Sequence, residues 1–124
     1  MGKGKIESFE DLEVYQKLCE LHLEISEASL KFPKFELYEL GSQVRRSSNS
    51  APANLAEGWN NRHLNIYLEG INRSMGELQE TLHHLRMAFR KGYFDRGQYE
   101  GYRERYLEAG RMLRGLKRSL SDSK

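Results

Sequence analysis

The feature of this sequence that most constrains its fold is an apolar stripe that recurs at three- and four-residue steps from His63 to Lys91. Its members are Leu64, Tyr67, Leu68, Ile71, Met75, Leu78, Leu82, Leu85 and Phe89. This spacing puts all of them on one face of an α-helix, which has about 3.6 residues per turn. Gly92, directly after the basic pair Arg90-Lys91, is typical of a helix end. The stripe therefore predicts a long helix whose apolar face packs against other helices.

Three other segments of the chain show the same helical periodicity. We predict helices over residues 8–30, 36–57 and 96–120, in addition to the helix over residues 63–91. Ser8 and Asp95 are suited to cap the first and the fourth helix, because their side-chain oxygens accept bonds from free backbone N–H groups. Pro33 and Gly58 mark the ends of the first two helical patterns, and residues 59–61 form the turn after Gly58.

The second helical segment has an inner face that is rich in small residues such as Ser47, Ser48 and Ala51. Such a face predicts close packing against a neighbouring helix. Pro52 lies inside the same segment and removes one backbone hydrogen bond, so we predict a kink near Pro52. The side chains of Ser47, Ser48 and Asn49 are candidates to satisfy the carbonyl groups that the kink frees.

Chain length and turn length then fix the architecture. The 124 residues suffice for one domain, and 38% hydrophobic with 31% charged residues is the composition of a globular protein. Four long helices joined by short turns pack as antiparallel neighbours, so we predict an all-α, up-and-down four-helix bundle. We place the bundle domain at residues 8–120, with flexible segments at residues 1–7 and 121–124.

Several classes of protein are excluded by what the sequence lacks. No run approaches the roughly 20 apolar residues that a membrane span needs, and residues 1–5 lack the apolar segment of a signal peptide. We therefore expect a cytoplasmic protein without a membrane partner. The single cysteine, Cys19, has no partner for an internal disulfide and is expected to be a small core residue.

The sequence shows no motif of an enzyme or of a cofactor site. A phosphate-binding glycine loop, a nucleophile elbow and a His-Glu-x-x-His pattern are all absent, and the serines at positions 47, 48 and 50 have no base near them in the sequence. Glu80 and His83 have the Glu-x-x-His spacing of di-metal bundles, but such a site needs two of these motifs. We expect no catalysis, no metal and no cofactor.

Charge is distributed unevenly along a chain whose net charge is only +2. Residues 7–39 contain nine acids and three lysines (net −6), whereas residues 40–124 contain fifteen bases and nine acids (net +6). Two interpretations stay open: the segments neutralise each other between helices or subunits, or the basic part is a functional surface.

The basic residues of interest form two groups. Arg111, Arg114 and Arg118 share one helical face at positions i, i+3 and i+7, together with Lys117, and the pair Arg45-Arg46 lies in the second segment. A stripe of this kind contacts phosphates without reading bases, so these six residues are our candidates for nucleic-acid binding. The alternative is that Glu104 and Glu108, within two turns of the stripe, pair with these arginines.

Three segments carry a family resemblance: residues 9–17 (FEDLEVYQK), residues 43–58 (QVRRSSNSAPANLAEG) and residues 110–116 (GRMLRGL). Together they resemble the bacterial four helix bundle protein family. That family includes proteins encoded by 23S ribosomal RNA intervening sequences, and it is related to the accessory variability determinants of diversity-generating retroelements. Tyr15, where the family often has tryptophan, and residues 47–49, where alanines are frequent, depart from the pattern and leave the branch open.

The resemblance implies a bundle that assembles into a ring-like homopentamer without catalytic activity. For the retroelement branch it also implies a basic ring that binds RNA or DNA, with a reverse transcriptase as partner. Arg45 and Arg46 would then be the leading basic positions, and Asn54 and Glu57 would hold the structure around Pro52. The rival hypothesis is a structural protein-interaction module, in which the same arginines pair with the acidic first helix of a neighbouring subunit.

Overall fold

The protein is described by a computed structural model that covers residues 4–122. These residues form four α-helices and no strand: α1 (Glu13–Ser29), α2 (Leu40–Gly58), α3 (Leu64–Arg90) and α4 (Arg96–Asp122). Single 3₁₀ turns at Phe9–Asp11 and Lys34–Glu36 precede α1 and α2. The prediction of an all-α four-helix bundle is confirmed.

The chain ends bear on the predicted domain limits. Residues 1–3 and 123–124, which belong to the predicted flexible ends, lie outside the described residues. Helix α4 continues through residues 121 and 122, where we had expected the flexible tail to begin. The division into a bundle over residues 8–120 and two flexible ends stays a prediction.

The start of the first helix differs from the prediction. Ser8 does form a capping box, in which the Glu10 N–H donates to Ser8 Oγ (3.2 Å) and the Ser8 N–H donates to Asp11 Oδ2 (3.1 Å). However, this box caps a 3₁₀ turn and not α1, because Leu12 has an extended backbone (φ −71°, ψ 126°) that interrupts the helix. The second helix likewise begins at Leu40, after a 3₁₀ turn that occupies the start expected at residue 36.

The end of α3 and the start of α4 agree with the prediction. Gly92 adopts a left-handed backbone (φ 84°), and the Tyr93 N–H donates to the Ala88 carbonyl (2.8 Å), which closes α3 in the manner of a Schellman motif. Asp95 Oδ1 accepts a hydrogen bond from the Gln98 N–H (2.7 Å) and so caps α4. These signals are local, which is why the sequence sufficed to find them.

Helix α1 packs between α2 and α4, and α3 packs between the same two helices. Four polar contacts locate the neighbours of α1: His22 with Ser48 and Ser29 with Arg45 on α2, and Lys17 with Glu108 and Glu24 with Arg105 on α4. Residues with higher numbers on α1 contact residues with lower numbers on the neighbouring helix, which is the order that antiparallel helices produce. Within residues 4–122, α2 and α4 do not touch, so they lie diagonally across the bundle.

Helices α2 and α3 pack closely, and the small-residue face of the second segment had predicted such packing against a neighbouring helix. A Cβ atom placed on Gly70 would lie 3.1 Å from the Gly58 Cα and 3.0 Å from the Asn54 carbonyl oxygen. Only glycine therefore fits at this crossing without a shift of the neighbouring backbone. Further along the same interface, Ser47 Oγ and Thr81 Oγ1 form a buried hydrogen bond of 2.7 Å.

Pro52 is buried inside α2, and the helix continues past it to Gly58. The Asn54 amide donates to the Ser50 carbonyl (2.9 Å), two residues before Pro52. That Asn54 holds the structure around Pro52 stays a prediction. The hydroxyls of Ser47 and Ser48 bond to carbonyls one turn earlier, at positions 44 and 45. The kink itself stays a prediction.

A buried carboxylate fastens the connection between α1 and α2. Glu36 is 3% exposed and accepts hydrogen bonds from Lys91 Nζ (2.8 Å), Tyr93 Oη (2.7 Å) and the Leu40 N–H (3.3 Å). The bond from the Lys91 ammonium, followed by the one from the Tyr93 hydroxyl, lowers the pKa of Glu36 below its usual range. This contact joins the connection before α2 to the turn between α3 and α4.

Candidate nucleic-acid interface

Three of the predicted basic residues lie together on α4. Arg111, Arg114 and Arg118 are exposed, and within residues 4–122 their guanidinium groups make no ion pair or side-chain hydrogen bond. A Cβ atom placed on Gly110 would lie 3.5 Å from Arg114 Nη1 and 3.9 Å from Leu78 Cδ1. Arg114 therefore lies at the boundary between α4 and α3.

Lys117 differs from the three arginines in exposure. It follows the buried Leu113 by one helical turn and is half-buried, whereas the three arginines are exposed. It also lies three residues after Arg114, so it is a neighbour of the row on the helix surface. Its part in nucleic-acid binding stays a prediction.

The arginine row continues toward the start of α4. Arg103, Leu107, Arg111, Arg114 and Arg118 follow one another at steps of four, four, three and four residues, so they lie along one side of the helix. From its first to its last member the row is about 22 Å long, at 1.5 Å per residue. Together with Arg86 of α3, its four arginines form what we call the basic face.

A shallow hollow of about 410 Å³ opens where the basic face crosses from α4 to α3. Helix α3 lines it with Gln79, Leu82, His83 and Arg86, and α4 lines it with Tyr99, Arg103 and Leu107. None of these lining residues is acidic. The hollow therefore combines two guanidinium groups, an amide and an imidazole with the side chains of Leu82, Leu107 and Tyr99, which we call its floor.

Two acids near the basic face pair with residues outside it. Glu108 pairs with Lys17 of α1 (3.2 Å), not with the arginine row, and Glu100 pairs with Arg96 (3.3 Å). On the side of α4 that faces α1, Arg105 binds Glu24 through two bonds of 2.7 Å. That bond lowers the pKa of Glu24. Charge neutralisation within the chain is thus realised between α1 and α4, and within residues 4–122 no arginine of the basic face forms an ion pair.

Arg45 and Arg46 lie on another part of the molecule. Arg45 Nη1 donates to Ser29 Oγ (2.9 Å) and Nη2 donates to the Leu37 carbonyl (2.7 Å), so its guanidinium ties α2 to the connection before it. Arg46 is exposed. Because α2 lies diagonally from α4, the structure does not bring this pair to the arginine row.

The candidates for chemistry do not assemble into a site within residues 4–122. Glu80 Oε2 lies 3.2 Å from His84 Nε2, while His83 lines the hollow, and no group of three or more potential metal ligands is present among the described residues. Ser48 does meet a base, since His22 Nδ1 lies 2.8 Å from its Oγ. The sequence could not show this, because the two residues come from different helices; Ser48 is also fully buried, which closes the pair to any substrate.

None of the helices within residues 4–122 combines the length and the apolarity needed to cross a bilayer. This finding concerns the helices alone.

Comparisons with known proteins agree with the fold. The protein-family model described as "23S rRNA-intervening sequence protein" matches residues 10–115. A matching solved structure is that of a protein of unknown function from the S23 ribosomal protein family of Bacteroides thetaiotaomicron VPI-5482, at 1.70 Å resolution. It is 25% identical in sequence, with a TM-score of 0.73 over 84% of this chain and 97% of that chain. No curated protein matches.

Proposed function

This chain belongs to the 23S rRNA-intervening sequence protein family, and we propose that it is a non-catalytic, homo-oligomeric scaffold that binds RNA or DNA through its basic face. The assembly is a homopentamer, as the resemblance to the four helix bundle proteins implies. The scaffold serves either a ribosomal RNA intervening sequence or, in the retroelement branch, a reverse transcriptase.

One observation carries the nucleic-acid part of this proposal: the four arginines of the row on α4 form no ion pair among residues 4–122. Guanidinium groups along about 22 Å of one helix face suit the phosphates of a nucleic-acid backbone, since each contact releases condensed counterions. Such binding is sensitive to salt and tolerant of sequence. The hydrogen-bonded Arg45 contributes to the fold in this proposal, and Arg46 stays a candidate contact.

A second candidate function is a protein-interaction module that binds no nucleic acid. It is favoured by a set of large apolar side chains exposed on and after α1: Leu23, Leu30, Phe35 and Tyr38. Exposed apolar side chains near one another are typical of a surface that another protein covers. In this case the basic face would bind the acidic outer side of α1 in a neighbouring subunit.

Light scattering distinguishes the two functions. We would measure the mass of the purified protein at low and moderate salt, alone and mixed with a short structured RNA or a DNA duplex of equal length. A multimer of about five subunits whose mass rises with nucleic acid, and falls back as salt is added, supports the scaffold. A multimer that ignores both nucleic acids and is itself dissociated by salt supports the interaction module, and a monomer contradicts the proposed assembly.

A further inference from the structure

We propose that the hollow between α3 and α4 holds one unpaired nucleotide of the bound strand, so that the protein prefers nucleic acid with a loop or bulge to a continuous duplex. This inference rests on the proposed function and specifies the ligand of the same surface. In this arrangement Arg86 and Arg103 bind the phosphate, and the base lies on the apolar floor.

The lining of the hollow differs from the rest of the basic face. Outside the hollow, the arginine row offers three exposed guanidinium groups, those of Arg111, Arg114 and Arg118. Guanidinium groups bind phosphates but do not by such contacts distinguish one nucleotide from another. The hollow adds Gln79 and His83, whose side chains each present hydrogen-bond donors or acceptors to the edge of a base. These two side chains can therefore contact the edge of a base as well as a phosphate oxygen.

The floor of the hollow is apolar and held in place. Leu82 and Leu107 are half-buried there, and the Tyr99 ring stacks on Phe89 with a centroid separation of 4.8 Å and an interplanar angle of 5°. Unpaired bases are commonly bound by apolar or aromatic side chains and by arginine planes.

Duplex and peptide ligands fit this lining less well. The bases of a continuous duplex are stacked inside it, and extruding one costs a few kcal/mol, so only the phosphates of a duplex reach the hollow. A peptide of acidic residues would satisfy Arg86 and Arg103 but would offer no flat apolar face to the floor. An unpaired nucleotide has the phosphate, the polar edge and the flat apolar face that together match all parts of the lining.

The test uses a variant that leaves the formal charge unchanged, Gln79→Ala/His83→Ala, with Gln43→Ala/Asn49→Ala on α2 as the matched control. All four positions are exposed on helices, and alanine is a good helix former, so both variants should fold; circular dichroism and melting temperature check this. The full chain is titrated with fluorescent RNA and DNA hairpins that have a single-stranded loop, and with the same stems as blunt duplexes.

We expect the wild type and the control variant to bind a hairpin about tenfold more tightly than the matching duplex. The variant Gln79→Ala/His83→Ala should lose this preference while it keeps its affinity for duplex. Whether the RNA or the DNA hairpins show the preference identifies the kind of strand that the hollow binds. Equal affinity of the wild type for hairpin and duplex would overturn the inference and leave the proposed function intact. Displacement of the hairpin by an equal concentration of a glutamate-rich peptide would also overturn the inference. If the protein binds neither RNA nor DNA, the proposed function itself is refuted.

Discussion

At the scale of single residues, Arg45 has the clearest assignment in the structure. Its guanidinium donates to Ser29 Oγ and to the Leu37 carbonyl. It also packs over Gly41, because a Cβ atom placed on that glycine would lie 2.9 Å from Arg45 Nη1. The sequence pattern predicted that Arg45 binds nucleic acid, but it could not show that the donors of Arg45 are used inside the fold. Hydrogen bonds between residues on different elements depend on packing, which a motif does not encode.

Arg45→Ala should lower the free energy of unfolding by about 1–3 kcal/mol, because two charge-assisted hydrogen bonds are lost and the Leu37 carbonyl loses its partner. Arg46→Ala, the adjacent exposed control, should change it by less than about 0.5 kcal/mol. Urea denaturation followed by circular dichroism measures both. Unchanged stability of Arg45→Ala together with weaker RNA binding would assign Arg45 to the nucleic-acid interface instead.

Glu36 predicts how stability depends on pH. Since its pKa is lowered in the folded state, its contribution to stability is present at neutral pH and disappears as the pH falls through that lowered pKa. The pKa values of Lys91 and Tyr93 are raised by the same contact, so their contributions persist until the pH becomes strongly alkaline. The melting temperature of Glu36→Gln should therefore lie below that of the wild type at neutral pH. The difference between the two melting temperatures should become smaller in acid. An equal difference at every pH would contradict the predicted contribution of Glu36.

At the scale of the helices, the sequence predicted elements where the signals are local. The bounds of α3 differ from the prediction by one residue at each end, because its stripe is long and Gly92 has the positive φ that a helix end requires. The starts of α1 and α2 were placed too early. Glu36 is held by Lys91 and Tyr93, which follow α3, and periodicity cannot reveal such a contact. Leu12 has an extended backbone between the 3₁₀ turn and α1, which periodicity does not show either.

The crossing of α2 and α3 gives a prediction at this scale. Gly70→Leu should lower the free energy of unfolding by at least about 2 kcal/mol, because the new side chain meets the Gly58 backbone at a distance that only glycine allows. Gly76→Leu on the same helix has open space and should raise stability by about 0.5–1 kcal/mol, since leucine favours a helix more than glycine does. Thermal unfolding of both variants measures these changes. An unchanged stability of Gly70→Leu would refute the close crossing of α2 and α3.

At the scale of the whole molecule, the basic face spans two helices. The sequence identified Arg111, Arg114 and Arg118 because they lie on one helix, but it missed Arg103, Arg86 and the hollow. The four-residue steps from Arg103 through Leu107 to Arg111 were a usable signal for the first of these. Arg86 and His83 join the face only through the packing of α3 on α4, so no pattern within one helix could have found them.

The central claim is that the basic face binds nucleic acid, and the most direct test is the salt dependence of RNA affinity. The variant Arg111→Ala/Arg114→Ala/Arg118→Ala is compared with Lys34→Ala/Arg62→Ala/Arg73→Ala, which removes the same charge from exposed residues off the basic face. We predict that the first loses at least about tenfold in affinity and that its slope of log affinity against log salt falls by about 2–3, whereas the second keeps nearly the wild-type slope. Equal losses in both variants, or no binding by the wild type, would contradict the claim.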